Sequence, residues 1–335
     1  MATTTINAAS NALRLVQHRA KAQTVGADAR KPFRFFLCGD PALVAELRSL
    51  LLFVPQDARV AADAAATLET IDPRRMSVPA PSDARAIIFL GRPGDVAGAR
   101  LDLLRPFRLP IFALTVDEYP TQQAQPLAAP LAGSVAEYHV TRISPTALRG
   151  RFFPHLIDRC KGVEVAVGRR LPALREAVTS KITRDAALSA LKVAAASAVV
   201  DKIPLIGIVL GAVASAGDMV AITGIQVALM MQIGAAYGKE PDVQRIWNLL
   251  PVVGGGLGWR ALSRELAGFI PVAGIAIKGA IAYAGTIVVG EGAGFFYEHG
   301  HHMTPAQAAQ LYEERKRTAL VFARDTVRRF GRRLG

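Results

Sequence analysis

Pro32-Phe33-Arg34-Phe35-Phe36-Leu37-Cys38-Gly39-Asp40-Pro41 reads as a short buried strand that stops at a glycine and turns at once into a helix. Asp40 is a suitable N-cap and Pro41 suits the first helical position. Leu43, Val44, Leu47, Leu50 and Leu51 then recur as one apolar helical stripe. The alternation continues. Arg85 to Gly91, Leu109 to Thr115 and Tyr138 to Thr141 read as further strands, and Asp95 to Leu104 as a helix between two of them. This order predicts an α/β layer with a mostly parallel sheet over residues 32–160.

The whole chain agrees with a folded domain there and a second one behind it. Its 335 residues are about twice a common domain length of roughly 150. A hydrophobic share of 51% with 20% charged residues excludes a disordered chain. Two cysteines, Cys38 and Cys160, are too few for a disulfide framework or an all-cysteine metal site, which fits a reducing compartment. Forty Lys and Arg against twenty-seven Asp and Glu leave a net charge of +13, unevenly spread, with 19 basic against 14 acidic residues over 1–160 and 21 against 13 over 161–335. Residues 1–31 lack the uninterrupted apolar core and cleavage site of a secretory signal. They read instead as a short amphipathic helix or leader, with Leu13, Leu15 and Val16 beside Arg14, His18, Arg19 and Lys21.

In a parallel sheet, ligands sit beyond the C-terminal strand ends, and the residues there decide the chemistry. The order of segments over about 120 residues resembles a Ras- or Era-like GTPase domain whose motifs have decayed. A phosphate-binding loop needs a second glycine, a lysine and a hydroxyl at fixed offsets. From Gly39 the chain has Val44, Ala45 and Glu46 there, and Asp40 stands at the helix mouth, where a carboxylate repels phosphate. Thr115-Val116-Asp117-Glu118 falls where that family reads guanine but lacks the lysine, and Thr141-Arg142-Ile143-Ser144 takes the place of its last guanine-contacting loop. The residues therefore argue against GTP hydrolysis and imply no cofactor.

After residue 160 the composition shifts to a helical, hydrophobic region spanning 161–303. Ile203 to Gly238 has Asp218 as its only charge, and Leu266 to Gly290 has Lys278 as its only charge. Each tract is long enough for a bilayer, which needs about twenty apolar residues. A central lysine and the buried-bundle alternative keep two solvents open: membrane insertion or tight docking, or an all-helical soluble core. Glycines such as Gly207 and Gly211 favour close helix packing in either. An ionisable group inside an apolar tract is a functional or packing-specifying site by default, which singles out Asp218 and Lys278, with a helix cap as the plain alternative for Asp218.

Several motifs stand in order here. They are Asp218, Gln226-Val227-Ala228-Leu229-Met230-Met231, Tyr237-Gly238-Lys239-Glu240, Gly254-Gly255-Gly256-Leu257-Gly258-Trp259-Arg260, Ile270-Pro271-Val272-Ala273-Gly274, Lys278-Gly279 and Gly290-Glu291. Together they resemble the YcjF-type bacterial domain of unknown function (number 697). The resemblance implies a helical hydrophobic domain, often joined to an Era-like GTPase domain, with an association role near the bacterial inner membrane. It supplies no catalytic residue.

Other features read more plainly. Gly254 to Gly258 is a helix junction before it is an anion nest. His299, His301 and His302 form a polar loop before a metal site, and Cys38 is a core thiol before a nucleophile. The last stretch, 304–335, opens with Thr304 as N-cap and Pro305 and continues as one helix. Its apolar stripe runs beside Arg315, Lys316, Arg317, Arg324, Arg328, Arg329, Arg332 and Arg333. A basic amphipathic helix next to apolar tracts points to anionic lipid headgroups on the cytoplasmic side. Nucleic acid is the weaker rival, because the patch lacks interleaved aromatics and a DNA-binding motif.

The sequence thus describes a non-enzymatic, membrane-associated binding or scaffold protein with no catalytic or metal residues. A protein partner or homo-oligomer is a further expectation. The alternatives are a nucleotide-dependent switch, cytoplasmic when off the membrane, and a soluble oligomeric scaffold.

Overall fold

The computed structural model describes residues 19–53, 58–75, 79–93, 95, 101–118, 135–200, 207–242 and 275–331; for 58–60, 195–200, 207–219, 275–278, 319 and 322–331 it describes the backbone alone. The chain divides into two compact units. One holds Ala27–Val178 with Ala236–Gly238, and the other holds Met1–Gly26, Thr179–Ala235 and Lys239–Gly335.

The first unit is built on β1 (Arg34–Gly39), where Phe35, Phe36 and Leu37 are fully buried and Cys38 nearly so. A strand apolar on both faces belongs at the centre of a sheet covered on both sides. β2 (Leu68–Thr70), β3 (Ala84–Gly91), β4 (Ile111–Val116) and β5 (Val135–Val140) join it in the order β2-β1-β3-β4-β5, and every pair is parallel. The expected strands are present within a few residues of their predicted bounds, and β2 is additional. Three residues, Leu-Glu-Thr, are too short to carry a period, and pairing with β1 is what makes them a strand. Of the helix expected over Asp95 to Leu104, residues 96–100 lie outside the described residues.

Gly39 ends β1 for a steric reason. Its φ is +114°, and a Cβ there would stand 1.8 Å from the carbonyl oxygen of Leu90. Asp40 then donates its N–H to that same oxygen at 2.8 Å. The helix following 19–30, which we take as α1, is α2 (Pro41–Leu52), with Leu43, Val44, Leu47 and Leu51 buried as the stripe predicts. One face of the sheet, with Phe36, Cys38, Ile87, Phe89, Ile111 and Ala113, packs on Leu101, Leu104 and Phe107. Each of the Leu, Ile and Phe side chains among them stabilises the unit by about 1.5–3 kcal/mol when fully buried.

After α3 (Ala58–Ala65) and the sheet come α4 (Pro145–Arg149), α5 (Phe152–Asp158) and α6 (Glu164–Arg170). The unit extends past residue 160, where the composition shifts, because Val163, Val165, Ala166, Val167, Leu171 and Leu174 are buried within it. Pro172–Leu174 packs on α2, and α6 packs on α3.

The second unit is helical: α7 (Arg175–Val200, from Thr179 on), α8 (Gly207–Ala236), α9 (Ile275–His299) and α10 (Pro305–Gly331). Of residues 1–31, the first eighteen lie outside the described residues. α1 contributes Lys21, whose Nζ donates to the carbonyl of Gly224 at 2.9 Å. α7 and α9 approach closely and run antiparallel, since Thr179 lies against Gly294, Thr183 against Gly290 and Leu191 against Gly279. α8 and α9 run parallel. Gln226 Nε2 donates a long hydrogen bond of 3.4 Å to Thr286 Oγ1, and Gly234 meets the Tyr297 hydroxyl further along both helices. Ala190, Ala194 and Ala282 cluster with Ile222 and Ile225 between the three helices.

Candidate functional site

A ligand is expected where the strand order reverses, between β1 and β3 at their C-terminal ends. That edge holds groups already engaged with one another. The carboxylate of Asp40 accepts the N–H groups of Ala42 at 2.8 Å and Leu43 at 3.2 Å, so the donors at the mouth of α2 face a fixed anion. The Leu43 N–H above all, with that of Ala42 and with Arg92, holds the Asp40 carboxyl below its usual range. Arg92 Nε lies 3.6 Å from Asp40, its Nη1 3.9 Å from Glu118, and its N–H donates to Asp95 at 3.0 Å. Phosphate entering here would have to displace a carboxylate and break this cluster.

Both thiols are buried, and burial pushes each up to about 12, far from the thiolate a nucleophile needs. Cys38 ends on the Ile88 carbonyl and Cys160 on that of Leu156. At the turn between α9 and α10, His299 stacks on Phe295 at 4.2 Å and His302 on Phe296 at 4.5 Å. Among the described residues no three His, Cys, Asp or Glu side chains are grouped to hold a metal. Gly254 to Gly258 lies outside the described residues.

In the helical unit, the segment Gly279–His299 of α9 is long and apolar enough to cross a membrane, and 78% of its apolar window is buried inside the protein. Part of the expected tract, 266–274, lies outside the described residues. The helix continues nine residues past Gly290, and the charge that ends the apolar tract, Glu291, is paired with Arg315. α10 covers α9: Ala308, Tyr312 and Leu311 pack with Ala284 and Val288. Thr304 starts α10 by a reciprocal cap, its Oγ1 accepting the Gln307 N–H at 3.2 Å while its own N–H donates to Gln307 Oε1 at 2.9 Å.

The eight basic residues singled out in the sequence separate into four groups. Arg315 Nη2 donates to Glu291 Oε1 at 3.0 Å, and Lys316 pairs with Glu313 at 3.4 Å while its Nζ lies 5.4 Å from the Tyr312 ring centroid. Arg317 is exposed. Arg324, Arg328 and Arg329 occupy the C-terminal half of α10, and Arg332 and Arg333 lie outside the described residues.

Asp218 and Lys278 fall on α8 and α9. Gln226 pairs with Thr286 sixty residues on, Ile222 shares a cluster with Ala282 sixty on, and Asp218 stands sixty before Lys278, so the register sets these two at one level of neighbouring parallel helices. Unforeseen from sequence are the buried hydroxyls of Thr179 and Thr183, which have no hydrogen-bond partner among the described residues where α7 meets α9, and the pairing of Gln226 with Thr286. Only their spacing opposite glycines hints at them. Compared with protein-family models, with curated proteins and with solved structures, the chain matches none.

Proposed function

We propose that the chain is a non-enzymatic binding protein that associates with the cytoplasmic face of a bacterial inner membrane without spanning it, its helical unit making the contact. The observation that carries this reading is the α9–α10 hairpin, in which an apolar helix is covered by the apolar face of a basic helix. Because Ala308, Leu311 and Tyr312 pack on α9, the basic residues of α10 are left to meet a partner, and anionic headgroups are the surface their charge fits. The likeness of residues 218–291 to the YcjF-type domain supports the same reading, and the decayed GTPase-like motifs support binding over hydrolysis. The Asp40 cap weighs against the nucleotide-switch alternative.

Two measurements test it. A low-salt lysate of cells expressing the full chain is separated into membrane and soluble fractions, and the chain is expected in the membranes; recovery in the soluble fraction overturns the membrane contact. The purified chain titrated with labelled GTP and magnesium is expected to give no saturable signal, and micromolar, magnesium-dependent binding overturns the binding-only reading in favour of the nucleotide switch.

A further inference from the structure

We infer that one end of the helical unit, the end where α7 finishes, α8 and α9 begin and α10 finishes, is the surface that docks on anionic glycerophospholipid headgroups, with Arg324, Arg328 and Arg329 supplying the charge. The inference rests on the membrane reading above and says where on the unit the contact lies. It follows from helix directions. Leu191 of α7 lies beside Gly279 of α9, so the last turns of α7 reach the level at which α9 starts. The parallel register sets Asp218 of α8 level with Lys278, so the first turns of α8 extend past it. α10 returns antiparallel to α9 after the short turn at Gly300, with Arg315 level with Glu291. From that pair both α9 back to Ile275 and α10 on to Gly331 run sixteen residues, roughly 24 Å at 1.5 Å per residue.

Two kinds of residue gather at this end. The first is apolar: Val220 is 56% and Val321 62% exposed, and they are the exposed large hydrophobics of the helical unit among the described residues. α8 itself changes along its length, with most residues from Gln226 to Ala236 buried and Val220 and Ala221 exposed. By sequence, Val193 to Val200 of α7 and Gly207 to Gly217 of α8 carry no charge. The second kind is basic. Arg324 and Arg328 share a face of α10 with the exposed Val321, at spacings of three and seven, and Arg329 follows. Arg315 and Lys316, nearer the other end, are held by Glu291 and Glu313. Exposed apolar groups on helices that carry arginines at the same end make a surface suited to a headgroup layer over acyl chains.

The test uses the full chain in flotation with vesicles of phosphatidylcholine alone and of phosphatidylcholine with phosphatidylglycerol. The wild type is expected to float with the anionic vesicles and to bind the neutral ones at least tenfold more weakly. The variant Arg324→Gln/Arg328→Gln/Arg329→Gln is expected to lose about a hundredfold in affinity, at about 1 kcal/mol per arginine near an anionic surface and tenfold per 1.4 kcal/mol. Arg315→Gln/Lys316→Gln is expected to bind within about threefold of wild type, and Arg324→Lys/Arg328→Lys/Arg329→Lys to bind as wild type, which separates charge from fold. Flotation of the wild type with equal loss in both glutamine variants, or with no loss in either, overturns the assignment of this end and leaves the membrane reading standing. A lysine variant as weak as the glutamine one also overturns it. Failure of the wild type to float with either vesicle overturns the membrane reading itself.

Discussion

The carboxylate of Asp40 accepts two backbone N–H groups, and its folded pKa is lowered as a result. A lowered carboxyl pKa stabilises the fold above the unfolded value of about 3.9 and loses that contribution as pH falls through the lower folded value. Asp40→Ala is therefore expected to lower the melting temperature at neutral pH, with the difference from wild type shrinking in acid. Paired thermal melts across a pH series check this, and a pH-independent gap would contradict the capping role. Gly290 makes a second residue-scale case. A Cβ there would sit 2.3 Å from Thr183 Oγ1, so Gly290→Ala is expected to cost about 1–3 kcal/mol by overpacking, with Thr183→Ala relieving part of it. Denaturant unfolding of the two single variants and the double one measures that relief; strictly additive losses would mean the two residues do not crowd each other.

Among the elements, the long patterned ones were legible from sequence and the rest for identifiable reasons were not. β1 and α2 announce themselves because an apolar run, a glycine, an N-cap and a proline all agree. β2 escapes because three residues carry no period and its strand character comes from β1. The limit of the α/β unit escapes because α6 and Pro172–Leu174 resemble the helical region in composition, and only their burial assigns them to the sheet. The basic stretch of α10 was legible as eight charges, but its division was not, since Glu291, the partner of Arg315, lies 24 residues away on another helix. Loss of the reciprocal cap in Thr304→Ala is expected to cost about 1 kcal/mol, read as faster hydrogen exchange in the first turns of α10; unchanged exchange would count against the cap.

For the whole molecule, a parallel α/β unit with a self-occupied ligand edge is joined to a helical unit in which the described helix long and apolar enough to cross a membrane is already packed by its neighbours. A helix with 78% of its apolar window buried in protein has little left to bury in lipid, which favours the proposed contact at the membrane surface over a span through the bilayer. Sequential extraction of membranes from cells expressing the full chain tests this most directly, with high salt first, alkaline carbonate next and detergent last. Release by salt or carbonate is the predicted result. Retention through both, with release only by detergent, would mean that the apolar helices span the bilayer and would contradict the account.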